Sequence, residues 1–243
     1  MIPDALVTQL ALDYCCAPEA VTDGANHFRV FSPQDGRRRF DGDRPVKLAA
    51  VNGKLLCTGR ADIIEALAGR LKEADGTWLF EMDALRRLDA LLQEFGCRVG
   101  QVHPFFTATQ IMPAPQMALD AIWYERGQIA QFEGDARFSE AFAFCPDAPD
   151  VLGVAAVQDG EILAMAGASA DSPQLWQLGI NVLPEMRGRG IGAALIARLK
   201  NAVIARGKLP YYGTAVSHIA SQRVAVKAGF LPAWAELLGE ETV

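Results

Sequence analysis

Seven consecutive residues, Arg187-Gly188-Arg189-Gly190-Ile191-Gly192-Ala193, interleave three glycines with two arginines. Glycine tolerates positive φ and carries no side chain, so backbone N–H groups can close on an anion. Arg187 and Arg189 add positive charge. The apolar spacing that follows predicts a helix whose unpaired first amides and dipole favour phosphate. Three loop patterns compete for these residues. A Walker A loop requires Lys and then Ser or Thr after its last glycine, but Ala193-Ala194 follow Gly192. The window 188–193 satisfies G-x-G-x-x-G/A, yet a dinucleotide fold also places an acidic residue about 20 positions on. Residues 205–235 contain no Asp or Glu, and too little chain remains for a doubly wound sheet. The third pattern, R-x-x-G-x-G, is met by Arg187, Gly190 and Gly192.

At a strand-to-helix junction this third pattern resembles motif A of the GNAT superfamily of N-acetyltransferases. Downstream, the segment His218–Phe230 is similar to the family's motif B, which usually begins with Asn, has Ala or Ser three positions on and ends in Gly-Phe. Ser221, Gly229 and Phe230 keep that register. The resemblance spans about 125–243, and the phrases AGASAD, WQLGINV, YGTAVSHIASQ and GFLPAWAEL narrow it to a bacterial subgroup with an N-terminal extension domain and largely undefined substrates. It implies acetyl-CoA as co-substrate, with the pyrophosphate on the loop Arg187–Ala193 and the pantetheine arm along Ile180, Asn181 and Val182. Ser221, on the same resemblance, bonds to CoA or stabilises helix packing. The implied reaction is direct attack of a small-molecule or protein amine on the thioester in a ternary complex.

Such a reaction poses two proton problems. An amine of pKa about 10 must lose a proton, and a departing thiolate of ordinary pKa about 8.5 benefits from an acid. Many GNAT proteins place a Tyr four positions before the Gly of Gly-Phe; here that position is Ala225. Substitute acids are Tyr211, Tyr212 and His218, and strand alternation sends only one of the two tyrosines toward the cleft. The candidate set is therefore His218, Tyr212 and, as base, Glu236, the only acidic residue between 186 and 239. The plainer readings are a helix-start histidine satisfied by backbone and an exposed strand carboxylate. The Tyr-to-Ala departure keeps a second function open: a non-catalytic acyl-CoA sensor or docking module. Cys57, Cys97 and Cys145 read as buried apolar cysteines rather than acyl acceptors. Five scattered cysteines without C-x-x-C, and three histidines without H-x-x-x-H, predict neither a disulfide framework nor a metal site. Trp176 and Trp234 read as core or cleft lining.

The elements that must position these residues follow from pattern. Apolar runs at 151–157 and 161–170 flank Asp159-Gly160, a hairpin signal. A turn at Asp171-Ser172-Pro173 leads to a strand at 175–183, a helix at 191–206 closed by Gly207, a strand at 210–216, a helix at 218–228 capped by Ser217, and a strand at 230–238. The first half predicts a helix near 4–16, strands near 27–31 and 46–58, and helices near 62–72 and 82–95. The proline-rich stretch 104–118 places a domain boundary at 118, giving an N-terminal α+β domain of undefined role, 1–118, and a GNAT domain, 119–243. The fold class is α/β (α+β), with a mixed, mostly antiparallel C-terminal sheet flanked by helices. The triple Arg37-Arg38-Arg39, beside Asp35, Asp41 and Asp43, reads as a solvated charged turn ahead of a phosphate loop. A third reading, resting on fold analogy alone, makes the N-terminal half a degenerate GNAT copy that contributes one wall of the acceptor cleft.

Composition sets outer bounds. The 243 residues are 51% hydrophobic and 21% charged, which excludes a disordered or collagenous chain. The net charge of −6 divides evenly between the halves, so neither presents the basic surface of a nucleic-acid binder. The N-terminus lacks the basic region of a signal peptide, and no run approaches the roughly 20 apolar residues of a membrane span. A cytoplasmic protein with no membrane or nucleic-acid partner is expected, and a homodimer is left open.

Overall fold

The computed structural model describes residues 2–38 and 44–242. The chain forms two compact units: the main divisions fall at Phe105/Phe106 and at Pro232/Ala233, where the C-terminal strand returns to the first unit, and a short piece at Arg38 belongs to the second. The expected break at 118 is thus displaced, and the last strand of the expected GNAT domain belongs elsewhere.

The first unit begins with α1 (Asp4–Asp13), α2 (Glu19–Thr22) and β1 (His27–Val30). The expected strand at 46–58 is a hairpin of β2 (Val46–Val51) and β3 (Lys54–Gly59), turned by Asn52 and Gly53 at φ +49° and +80°. Then follow α3 (Ala61–Leu71), α4 (Met82–Gln93) and β4 (Cys97–Thr107). Ile63, Ile64 and Leu67 on α3, and Leu88, Leu91 and Leu92 on α4, recur at helical spacing and pack on Leu48, Leu55 and Cys57 of the hairpin. Burial pushes the Cys57 thiol far above its usual range, as expected for an inert core cysteine. Arg37 stacks over Phe31 at 4.3 Å. Arg38 belongs to the second unit, is 4% exposed and lies over the Tyr211 ring, so at Arg38 the solvated-turn reading fails. Arg39, Asp41 and Asp43 lie outside the described residues.

The second unit contains β5 (Asp120–Glu125), α5 (Arg126–Ile129), β6 (Asp150–Gln158), β7 (Glu161–Ala170), β8 (Leu175–Val182), α6 (Ile191–Ala205), β9 (Leu209–Gly213) and α7 (Ile219–Lys227). Strands β5 to β8 form an antiparallel meander; β9 pairs parallel with β8. The end of β4 lies beside β9, with Thr107 Oγ1 donating to the Pro210 carbonyl at 2.9 Å. Ala164, Ala166 and Ala168 keep the inner face of β7 flat, so Leu195, Ile196, Leu199 and Val203 of α6 pack closely on it. Finally β10 (Leu231–Glu241) runs between β2 and β4 in the first unit, its Ala235–Leu238 paired antiparallel with Lys47–Ala50. Among the described residues, no helix is long and apolar enough to cross a membrane.

Candidate functional site

The site is built on the C-terminal half of β8. Its register with β9 stops at Gln177↔Tyr211, while its pairing with β7 continues to Val182↔Ala164. The amide of Leu183 donates to the Leu163 carbonyl at 3.0 Å. By antiparallel alternation the N–H and C=O groups of Ile180 and Val182 therefore point away from β7, along an edge that β9 has left. The side chains of Ile180 and Val182 pack toward α6, where a Cβ on Gly192 would sit 3.7 and 3.4 Å from them.

The chain leaves β8 through a 3₁₀ turn, Pro184–Met186, and enters the glycine loop. Gly188 and Gly190 adopt φ +78° and +79°, the left-handed region expected of them. A Cβ on either would meet no atom within 4 Å, so the space in front of the loop is open. Helical bonding in α6 begins with the Ala194 amide on the Gly190 carbonyl at 3.1 Å, which leaves the amides of Ile191, Gly192 and Ala193 without a helical acceptor. Among the described residues, no side chain caps this end. Arg187 and Arg189 are exposed around it, and Arg187 Nε donates to the Val182 carbonyl at 3.1 Å, laying the guanidinium over the open edge. The arrangement is a preformed receptacle for a phosphate ester whose extended tail can run along β8.

Beside it, Tyr212 and Ser221 share a hydrogen bond of 2.8 Å, tying β9 to α7. Tyr212 is 3% exposed. Burial raises the pKa of its phenol; the Ser221 hydroxyl opposes that shift and the nearby Glu140 charge reinforces it. Tyr212 is therefore a proton donor throughout the neutral range. Tyr211 points to the opposite face, bonded to Asp171 and, at 3.1 Å, to Gln177 Oε1. Ala225 stands one helical turn beyond Ser221, fully buried in the cluster that includes Tyr212 and Phe230.

The remaining candidates separate. His218 occupies the N-cap position of α7, in place of the expected Ser217, with its side chain exposed and its carbonyl accepting from the Gln222 amide at 3.1 Å. Glu236 is not an exposed strand carboxylate. It belongs to the first unit, is 2% exposed and accepts from Trp234 Nε1 at 2.9 Å. Cys145 is half-buried, and Cys97 is buried with its thiol pKa raised by desolvation.

A segment that went unnoticed in the sequence covers the other face of β8. Asn181 Oδ1 accepts from the amides of Glu140 and Ala141 at 2.9 and 2.8 Å, so its side chain holds protein backbone. A Cβ on Gly179 would stand 1.8 Å from the Glu140 carbonyl oxygen, and one on Gly167 1.9 Å from that of Ala141. These two strand glycines exist for the close approach of that backbone, and glycine inside a strand pattern is the signal that marks it. Exposed Glu140 is thus held at a fixed place, and its charge acts on the Tyr212 phenol.

Residues 119–230 match the family model described as the acetyltransferase (GNAT) family. No curated protein matches the chain. Among solved structures, a protein of Novosphingobium aromaticivorans assigned to the GNAT family aligns with TM-score 0.43 and 23% identity over 61% of this chain and 69% of its own. A GCN5-related N-acetyltransferase from Kribbella flavida gives 0.44 and 20% over 62% of each. A GCN5-related N-acetyltransferase-like protein from Streptococcus suis gives 0.49 and 14% over 85% of this chain and 88% of its own. At these scores and identities the solved structures add nothing to the family-model match over residues 119–230.

Proposed function

We propose that this chain, whose residues 119–230 carry a GNAT-family acetyltransferase domain, transfers an acetyl group from acetyl-CoA to a primary amine by direct attack in a ternary complex. The observation that carries this reading is the open edge of β8 running into a left-handed glycine loop at the α6 N-terminus. Its residues fit the ligand: the amides of Ile191, Gly192 and Ala193 with Arg187 and Arg189 for the diphosphate, and the backbone of Ile180 and Val182 for the pantetheine amides. When bound, acetyl-CoA supplies an activated acyl carbon and a thiolate leaving group. The chain's own residues handle the protons. Tyr212 Oη holds one and passes it to Ser221 Oγ, which presents it where α7 faces the loop. Glu140 supplies the negative charge that draws in a cationic acceptor and takes the proton released as the amine attacks. The buried Ala225 is the observation that favours the other reading, a module that binds acyl-CoA without turnover.

Calorimetric titration with acetyl-CoA and CoA tests the ligand. Arg187→Ala should weaken CoA roughly 10- to 150-fold, the loss of one charge-assisted hydrogen bond of about 1.5–3 kcal/mol. Gly190→Val should nearly abolish binding, because its Cβ enters the open cradle and its β-branched side chain is strained at φ +79°. Unchanged affinity in Gly190→Val overturns the loop assignment. Tight binding with background turnover across a broad amine panel would establish the sensor instead.

A further inference from the structure

A cavity of about 550 Å³ belongs wholly to the first unit and lies between α3, α4 and the 3₁₀ turn Gly76–Trp78. That volume is within the range of small-molecule sites, about 300–1,000 Å³. Its apolar wall is Leu71, Leu79, Leu88 and Leu91, the outer side of the cluster that anchors both helices to the sheet. Trp78 also lines it and is 63% exposed, although a buried position would ordinarily suit an indole. An exposed tryptophan beside an apolar hollow offers a flat surface for a ligand to stack on.

The charges around the cavity select the ligand's polar end. Arg70 is occupied by Glu94, 3.4 Å away. Asp75 accepts from the Thr77 amide at 2.8 Å as the cap of the 3₁₀ turn, and the Thr77 hydroxyl together with that amide holds its carboxyl below the usual range. Arg87 also lines the cavity, is exposed, and makes no ion pair or hydrogen bond among the described residues. Once the paired groups are set aside, one guanidinium remains, and a guanidinium prefers a carboxylate.

We infer that this cavity binds a small amphipathic carboxylate, its apolar or aromatic body between Trp78 and the four leucines and its carboxylate on Arg87. The site is separate from the receptacle on β8 and makes the first unit a ligand-binding unit in its own right.

The test titrates the full chain with 1-naphthoate and with its neutral counterpart 1-naphthamide, followed by amide and indole N–H NMR signals. The Trp78 indole signal is identified by its absence in Trp78→Phe. Saturable shifts should centre on the Trp78 indole and the amides of Leu71, Leu88 and Leu91, with naphthoate bound more tightly than naphthamide. Arg87→Gln, an exposed substitution, should weaken naphthoate about 10-fold or more and leave naphthamide unchanged, as expected for one charge-assisted hydrogen bond. Trp78→Ala should weaken both. Shifts that fail to saturate, or equal affinities for the two probes with no effect of Arg87→Gln, would overturn the assignment.

Discussion

Tyr212 and Ser221 lie 2.8 Å apart, and Ala225, one helical turn beyond Ser221, is fully buried. If this pair supplies the leaving-group proton, Tyr212→Phe should lower kcat by about 10²-fold, within the range of general acid catalysis, with the affinity for CoA retained. A loss of CoA affinity equal to the loss of kcat would instead mark a packing role. The Glu140 charge makes a second test. It helps hold the Tyr212 pKa above the ordinary phenol value, so Glu140→Gln should move the phenol's ionisation to lower pH. Spectrophotometric titration, with Tyr212→Phe identifying the relevant step, reads the shift; an upward or absent shift contradicts the placement. The departure at Ala225 and the opposed faces of the tyrosines were legible in the sequence, because both are local. Glu236 was not. Its burial and its bond to Trp234 depend on β10 lying between β2 and β4, which no local pattern encodes.

Among the elements, β8 was legible in extent and in its partner α6, since alternation and helical period mark both. Less legible was the segment that crosses its outer face. Gly167 and Gly179 lie unmarked inside strand patterns, and they admit the backbone of Glu140 and Ala141. Gly179→Ala would drive a Cβ into a carbonyl oxygen, and neither backbone can yield cheaply. The expected cost is about 1–3 kcal/mol of stability from overpacking. Because Asn181 anchors the same turn, Glu140 should shift with it, raising the acceptor KM while CoA titrates normally. Equal damage to both ligands would show that the segment supports β8 as a whole. Strand β4 was hidden for another reason. Pro104 lacks an amide and reads as a break, yet the strand runs through it to Thr107. Beyond it the proline-rich stretch is fastened by α6. Lys200 donates to the Gln110 carbonyl at 3.1 Å, and Asn201 brackets Met112 with bonds of 2.7 and 3.3 Å. Those polar positions on α6 carry no sequence mark distinguishing them from solvent-facing ones.

At the level of the whole chain, the sequence suggested two domains in series, and a proline-rich stretch is a reasonable place to divide them. The compact units are instead interleaved: the chain leaves the first at Phe105 and comes back to it at Ala233. The return strand brings Trp234, Leu237 and Leu238 into that unit, each at most 6% exposed. At about 1.5–3 kcal/mol for each large apolar side chain buried, these three residues account for a substantial part of a small unit's stability. This organisation predicts how the chain can be cut. A fragment 119–243 keeps β10 without β2, exposing apolar side chains and an unpaired strand edge, and it loses Phe106 and Thr107 beside β9. It should aggregate. A fragment 106–232 keeps all of the second unit but the short piece at Arg38, and it should melt cooperatively and retain CoA binding on the loop Arg187–Ala193. Scanning calorimetry and gel filtration of the two fragments decide the matter: a 119–243 fragment that stays monomeric and melts as cooperatively as 106–232 would mean that β10 owes its structure to the second unit. The same logic makes residues 1–105 an incomplete unit, and adding the return strand back as a peptide of residues 231–242 should restore its cooperative melt.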